Sequence, residues 1–129
     1  MPKIYIADDS EDVRQRLIDL VSVLPEVELV GQTGDARVAI ADIQRLQPDV
    51  AILDLRLVNG NGIEVLEIVK LLKAPPIVIM LTAFPSQQYR RRCASAGADY
   101  FFDKTSEFER ILDILKFISV KTSGNSVGI

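Results

Sequence analysis

The sequence predicts an α/β fold in which helices cover both faces of an open, parallel sheet. Short runs of β-branched and other apolar residues alternate five times with longer segments of helical periodicity. Four of these runs are too apolar to face water on either side, which is typical of strands in a parallel sheet. Parallel strands joined through helices take right-handed crossovers, so we expect a doubly wound arrangement.

The apolar runs give the positions of the strands in chain order. They lie at residues 3–7, 27–33, 50–53, 77–81 and 100–102. Turn residues agree with these boundaries, because Gly60 and Gly62 follow the third run and Pro75 and Pro76 precede the fourth.

Each strand is followed by a segment whose apolar residues recur on one helical face, as at Val13, Leu17, Leu20, Val21 and Leu24. The fourth segment, 86–96, is the least apolar and carries Arg90, Arg91 and Arg92. A charge run of this kind is usually a solvated face. Ser106 followed by Glu109 has the spacing of a capping box and predicts the start of the last helix.

The composition indicates one domain and excludes several kinds of chemistry. The chain has 129 residues, 48% of them hydrophobic, which is enough for one core and argues against disorder. It contains no histidine, so Ser-His-Asp catalysis, imidazole ligation of zinc and a phosphohistidine on this chain are excluded. The single cysteine, Cys93, has no partner for an internal disulfide, and we expect it to be a small buried apolar residue.

Charge and hydropathy narrow the setting in which the protein works. The formal net charge is −3 and the pI is near 4.9, which argues against direct nucleic-acid binding, since such domains carry a basic face. No apolar run approaches the length of a membrane helix, so we expect a cytoplasmic protein without membrane contact. Residues 1–121 are predicted to form the domain, and residues 122–129 a flexible C-terminal tail or the start of a linker.

Polar side chains follow four of the five predicted strands. Asp8 and Asp9 follow the first strand, Asp54 the third, Thr82 the fourth and Lys104 the fifth. Ligands of doubly wound sheets bind outside the carboxyl ends of the strands. We therefore expect these side chains to meet at one edge of the sheet.

The convergence of three carboxylates is more informative than any one of them. Taken singly, an acid at a strand end is usually a helix cap, here Asp9 or Ser10, and Lys104 alone would be solvated. Carboxylates about 4 Å apart repel each other by about 4 kcal/mol per pair at an effective dielectric near 20, so a cation is expected among them. Oxygen ligands select Mg²⁺ or Mn²⁺, and a lysine and a hydroxyl beside the metal suit an arriving phosphoryl group.

The order of these residues resembles the receiver domain of bacterial two-component response regulators. The similarity covers residues 3–120, and its motifs are Asp8-Asp9, Asp54, Thr82-Ala83 and Lys104, with the stretch LDLRLVNGNGIEVL around Asp54. It implies the flavodoxin-like (βα)5 fold with strand order 2-1-3-4-5. It also implies a signalling switch that catalyses only its own phosphorylation and dephosphorylation.

The resemblance implies an acceptor and a metal site. Asp54 would be the phosphoacceptor and would take its phosphoryl group from a histidine on a sensor histidine kinase or a histidine phosphotransfer protein. Asp9 and Asp54 would bind Mg²⁺ directly together with the backbone carbonyl of Arg56, while Asp8 would act mainly through water.

The resemblance further implies a switch. Lys104 would pair with the phosphoryl oxygens, Thr82 would turn to hydrogen-bond them, and Phe101 would be the switch aromatic. Arg56 and Phe84 hold positions at which the family tunes the loss of the phosphoryl group. The bulky Phe84 is expected to restrict the attacking water, which gives slow self-dephosphorylation.

Two positions depart from the family pattern near the site. Val58 stands where a proline is frequent after the phosphoacceptor, and we expect this difference to be minor. Thr105 follows Lys104 where the family usually has a proline in cis. A cis bond before a residue other than proline costs about 2.5 to 4 kcal/mol, so we expect a trans bond here.

The output implied by the resemblance is protein contact through the fourth helix, the fifth strand and the last helix, and homodimer formation stays open. An alternative is the isolated receiver of a longer DNA-binding transcriptional regulator. Two further functions are less favoured. An aspartyl-phosphate phosphohydrolase carries its second Asp two residues after the nucleophile, whereas Asp8 and Asp9 are adjacent. The complete acid set argues against a phosphorylation-independent binding module.

Overall fold

A computed structural model describes the backbone of residues 1–127 and the side chains of residues 1–121. The strands are β1 (Lys3–Ala7), β2 (Glu28–Thr33), β3 (Val50–Asp54), β4 (Arg56–Leu57), β5 (Gly60–Asn61), β6 (Ile77–Thr82) and β7 (Tyr100–Asp103). The helices are α1 (Glu11–Ser22), α2 (Ala36–Leu46), α3 (Gly62–Val69), α4 (Gln87–Ser95) and α5 (Arg110–Val127).

Five strands form one parallel sheet in the order β2-β1-β3-β6-β7. Counted along the chain without the short β4 and β5, this is the order 2-1-3-4-5, so the predicted fold is confirmed. The chain leaves β1 toward β2 and returns on the other side of β1 to form β3. The strand order therefore reverses between β1 and β3, which is where doubly wound sheets bind their ligands.

The core consists of two apolar layers, one on each face of the sheet. Successive residues of a strand point to opposite faces, so Ile4 contributes to one layer and Tyr5 to the other. Helices α1 and α5 cover the first layer with residues such as Leu17 and Leu115. Helices α2 and α3 cover the second layer, together with the single buried residue of α4, Cys93.

Helix α4 packs more loosely than its neighbours. Cys93 is fully buried, as expected for a small apolar residue, and burial raises the pKa of its thiol. Arg90, Arg91 and Arg92 are exposed, as expected for a charge run on a helix.

The connection between β3 and α3 contains a feature that the sequence did not predict. Strands β4 and β5 form an antiparallel ribbon of two residues per strand, joined through Val58 and Asn59. Asn59 in this turn and Gly60 at the start of β5 have positive φ angles of 59° and 151°. Val58 exchanges backbone hydrogen bonds with Gly34 and Ala36, so the ribbon is tied to the loop between β2 and α2. A ribbon this short has no room for a hydrophobic period, which explains why it was missed.

Helix α5 begins later than predicted. The Asp103 carboxylate accepts hydrogen bonds from the backbone amide and the hydroxyl of Thr105, and the Glu107 amide donates to the Asp103 carbonyl. These local bonds hold residues 104–109 in turns, so the capping box at Ser106 and Glu109 was a wrong prediction. No cis peptide bond occurs in the described part of the chain, which confirms the trans bond expected before Thr105.

The backbone of α5 continues to Val127, through most of the segment 122–129. Residues 128 and 129 lie outside the described part, and the assignment of this segment as a tail or the start of a linker stays a prediction. Among the described residues, no helix has both the length and the apolar character needed to cross a bilayer.

Candidate functional site

Three acids meet at the carboxyl edge of the sheet, where the strand order reverses. Neighbouring strands β1 and β3 pair Ala7 with Leu53, so the residues that follow, Asp8 and Asp54, lie side by side. Carboxylate oxygens of Asp8, Asp9 and Asp54 lie within 4.8 Å of one another. Asp8 and Asp54 are 1% and 2% exposed, whereas Asp9 is exposed to solvent.

Lys104 reaches these acids from the other side of β6. Its Nζ lies 2.7 Å from Asp8 Oδ2 and 2.9 Å from Asp54 Oδ2. Its backbone amide donates to the carbonyl of Thr82 at 2.8 Å, which holds the turn after β7 against the end of β6. One lysine therefore binds both buried carboxylates at once.

The site carries more negative than positive charge. Burial, and then the neighbouring Asp8 charge, raise the pKa of Asp54 to about 7, although Lys104 and the backbone amide of Arg56 act in the opposite direction. Burial by itself would lower the pKa of Lys104, but its contacts with the two acids outweigh burial and raise it. Two buried acids thus compete for the single ammonium group.

One carboxylate oxygen of the pair is left without a directed hydrogen bond. Asp8 Oδ1 accepts from the Ser10 amide at 2.9 Å. Asp8 Oδ2 is buried and meets Lys104 at the distance of an ion pair, but this contact lacks the direction of a hydrogen bond. This buried oxygen therefore depends on the positive charge of Lys104.

The loop after β1 leaves Asp9 available to the cluster. Ser10, and not Asp9, caps α1, since its hydroxyl oxygen accepts from the amide of Val13 at 3.2 Å. After β3, the chain passes so close to the acids that a Cβ at Gly62 would collide with the backbone carbonyl of Asp54. The absence of a side chain at Gly62 lets the backbone pass close to Asp54.

The donor set fits a divalent cation. All three side chains offer carboxylate oxygen, and Asp9 is exposed, so an ion can enter from solvent. Hard oxygen donors of this kind suit Mg²⁺ or Mn²⁺.

A cleft of about 430 Å³ opens beside the cluster, and Arg56, Thr82 and Phe84 contribute to its lining. Thr82 is 1% exposed, and its hydroxyl oxygen accepts from the Phe84 amide at 3.0 Å. The Arg56 guanidinium lies 4.1 Å from the centre of the Phe84 ring, a cation–π contact. Arg56 and Phe84 were predicted singly, and their contact was not.

Phe101 lies on the opposite face of β7 from Tyr100 and Phe102, and is partly buried against the layer under α2 and α3. The Arg90 guanidinium of α4 covers its ring at 4.7 Å from the ring centre. Arg90 also lies 3.6 Å from Glu107, which follows Lys104 in the turn before α5. The structure thus connects α4, Phe101 and the turn that carries Lys104.

The structure brings together Asp8, Asp9, Asp54 and Lys104 in one cluster, with Thr82 at the adjoining strand end. Sequence reasoning missed Arg14, whose guanidinium donates to the backbone carbonyl of Asp8 at 2.7 Å. An arginine on a helix is usually solvated, so no pattern in the sequence indicated this contact.

Comparison with known proteins places these features in a family. Residues 4–116 match the family model described as "Response regulator receiver domain". The chain is 38% identical over 106 residues to the DNA-binding transcriptional activator DevR/DosR of Mycobacterium tuberculosis, covering 81% of this chain and 48% of that protein. It is 38% identical over 80 residues to a protein-glutamate methylesterase/protein-glutamine glutaminase of Rhizobium etli, covering 62% of this chain and 23% of that protein.

Among solved structures, the response regulator domain of Thermotoga maritima CheB superposes with a TM-score of 0.81 at 26% identity, covering 94% of this chain and 95% of that one. The chain spans about half the length of the DevR/DosR relative and about a quarter of the methylesterase relative.

Proposed function

We propose that this chain, which belongs to the response regulator receiver domain family, is a signalling switch phosphorylated on Asp54 by a partner histidine kinase or histidine phosphotransfer protein. The observation that carries the assignment is the contact of one Lys104 ammonium with both Asp54 and Asp8 in a buried site with excess negative charge. Asp54 is the buried acid at the end of the central strand β3.

The transfer itself is a displacement at phosphorus. An oxygen of the ionised Asp54 carboxylate bonds to phosphorus while the bond between phosphorus and the donor's imidazole nitrogen breaks, and that nitrogen keeps the electron pair. Lys104 is already 2.9 Å from Asp54 and would follow the negative charge onto the phosphoryl oxygens. Thr82 would hydrogen-bond the same group by turning its hydroxyl.

We propose that Asp9, Asp54 and the backbone carbonyl of Arg56 hold Mg²⁺ or Mn²⁺, with Asp8 acting mainly through water. A bound divalent cation neutralises charge on the phosphoryl oxygens. It would also counteract the burial and the neighbouring Asp8 charge, which together raise the pKa of Asp54.

Arg56 and Phe84 would set the lifetime of the phosphorylated state. The ring of Phe84 is half exposed and held under the Arg56 guanidinium beside Thr82. In this position it limits the approach of water to the acyl phosphate, so self-dephosphorylation would be slow.

A downstream protein would contact the face formed by α4, β7 and α5. Phe101 is half-buried there, under Arg90, and a change of its position on phosphorylation would alter the surface offered to a downstream protein. Homodimer formation through this or another face is a further outcome of the same change.

The domain would comprise residues 1–121, followed by a tail or linker. The match covers only 48% of a relative that is a DNA-binding activator, which supports the alternative that the chain is the receiver of a longer regulator. The chain would then act on DNA only through another domain, and it would catalyse only its own phosphorylation and dephosphorylation.

The test is intact-mass analysis after incubation with Mg²⁺ and acetyl phosphate or phosphoramidate. One phosphoryl adduct is expected on the native chain and on Asp99→Asn, a control that removes a lysine-paired aspartate far along the sheet. None is expected on Asp54→Asn or in the presence of EDTA. A native chain that takes no phosphoryl group from either donor would instead be a binding module.

A further inference from the structure

Arg14, in the first turns of α1, is anchored between the loop after β1 and the end of strand β2. Its Nη1 donates to the backbone carbonyl of Asp8 at 2.7 Å, and its Nε donates to the Gln32 side chain at 3.0 Å. The carbonyl of Asp8 belongs to the peptide that joins Asp8 to Asp9. Arg14 thus holds the peptide that orients two of the three acids.

The chain makes room for this contact. A Cβ at Gly34 would lie 2.8 Å from Arg14 Nη1 and 3.3 Å from the Asp8 carbonyl oxygen, so a larger residue there would displace the guanidinium. The Asp8 amide donates to the Thr33 carbonyl at 3.0 Å, which fixes the other side of the same residue. Asp8 is therefore held at its amide, its carbonyl and its carboxylate.

From this geometry we infer that Arg14 is a positioning residue for the cation site. By fixing the tilt of the Asp8–Asp9 peptide, it keeps the exposed carboxylate of Asp9 within reach of the oxygens of Asp8 and Asp54. The inference rests on the proposed function, because it concerns the cation that the three acids would hold.

The charge of Arg14 alone would act in the opposite direction. A cationic side chain beside the acids repels an arriving divalent cation, so its removal would tighten binding if charge were its whole effect. If Arg14 positions the peptide, its removal weakens binding. The sign of the change in Mg²⁺ affinity therefore separates the two roles.

The experiment is calorimetric titration of Mg²⁺ into the native chain and into Arg14→Ala and Arg14→Lys. Loss of a group that orients a metal ligand typically lowers metal affinity about tenfold to a hundredfold. We expect a loss of about tenfold for both variants, because lysine keeps the charge but cannot donate to Asp8 and Gln32 together. Arg16 lies on the same helix but contacts Phe108, so Arg16→Ala is the matched control. This variant should bind Mg²⁺ with the affinity of the native chain.

A second readout needs no metal. The amide of Asp9 belongs to the peptide that Arg14 holds, so its ¹H–¹⁵N resonance should move in Arg14→Lys and stay in place in Arg16→Ala.

Equal affinity in Arg14→Lys and the native chain, or tighter binding in Arg14→Ala, would overturn the positioning role while the proposed function stands. Failure of the native chain to bind Mg²⁺ would overturn both.

Discussion

Two lysine–aspartate pairs lie at opposite edges of the same sheet, and they differ in balance. At the carboxyl edge, Lys104 serves the buried acids Asp8 and Asp54, with Asp9 beside them. At the amino edge, Lys70 meets Asp99 alone at 2.7 Å. The residue types are the same and the distances are similar, but Lys104 faces more than one acid whereas Lys70 faces one.

Both partners of the amino-edge pair also form hydrogen bonds with the backbone. Lys70 Nζ also donates to the carbonyl of Pro76 at 2.7 Å, and the Asp99 carboxylate accepts from the amide of Val78 at 2.8 Å. These bonds join the end of α3 to the starts of β6 and β7. Nothing in that arrangement calls for a further ligand.

The carboxyl-edge cluster has more negative charge than Lys104 can balance. Asp8 Oδ2 is buried without a directed hydrogen bond, and burial with the Asp8 charge raises the pKa of Asp54 to about 7. A fold tolerates such a cost where function needs it, so charge imbalance at a strand edge distinguishes a reactive site from a structural ion pair.

Replacing the lysine of each pair should give the largest contrast. Lys104→Met leaves two buried carboxylates without a cation, and removing one partner of a buried pair costs about 3 to 5 kcal/mol. The free energy of unfolding, from urea denaturation at pH 8, should fall by about 3 kcal/mol or more. Lys70→Met should cost only about 1 kcal/mol, because the Asp99 side chain is exposed and an ion pair screened by water contributes little.

The pH dependence provides the control for this comparison. Without Lys104 the acids bind protons more readily in the folded state, so the deficit of Lys104→Met should shrink between pH 8 and pH 5. The deficit of Lys70→Met should stay nearly constant. Equal deficits for the two variants at pH 8 would contradict the distinction between the edges.

Replacing the aspartate of each pair should produce changes of opposite sign. The folded-state pKa of Asp54 is raised to about 7, above the ordinary value near 3.9. Its contribution to stability is therefore present below about pH 4 and is lost as pH rises through 7. In metal-free buffer at pH 8, Asp54→Asn should stabilise the chain by on the order of 1 to 3 kcal/mol.

Asp99→Asn is the matched control, because it weakens a balanced pair and should lower the free energy of unfolding at pH 8. Both variants are measured by urea denaturation at pH 5 and pH 8. A loss of stability in Asp54→Asn at pH 8 would show that the carboxyl-edge charges are balanced after all.

The smallest effect concerns the Phe84 ring, which lies under the Arg56 guanidinium beside the carboxyl edge. The Arg56–Phe84 contact is a cation–π pair at an exposed site, worth about 0.5 to 1 kcal/mol. If this contact holds the Phe84 ring where it limits the approach of water, Phe84→Ala should shorten the half-life of the phosphorylated chain about twofold to fivefold. Decay of the phosphoryl adduct is followed by intact mass in the presence of Mg²⁺.

Val58→Ala is the control for this variant, since Val58 is 54% exposed, like Phe84, and lies in the ribbon after β3. Its half-life should match the native value. If the half-life of Phe84→Ala is no shorter than that of Val58→Ala, Phe84 does not slow self-dephosphorylation.

The fold and the acid cluster were predictable because each depends on a repeating pattern. Alternation of apolar runs and helical segments predicted the sheet, and parallel strands bring their carboxyl ends to one edge. Asp54 and Thr82 end their strands, so they were identified by position alone.

The features that were missed depend on single contacts. The capping box at Ser106 failed because the Asp103 carboxylate bonds to Thr105 first and delays α5 to Arg110. The role of Arg14 depends on the space left by Gly34 on another loop. The first contact is a local side-chain bond and the second joins segments distant in the chain, and hydrophobic periodicity carries no information about either.

The most direct test of the central claim is to locate the phosphoryl group. Reduction of the phosphorylated chain with borodeuteride converts an acyl phosphate of aspartate into labelled homoserine, which peptide fragmentation assigns to one residue. The account predicts the label at position 54 alone. A label at Asp8, Asp9 or Asp99, or a phosphorylated chain with no label at 54, would contradict it.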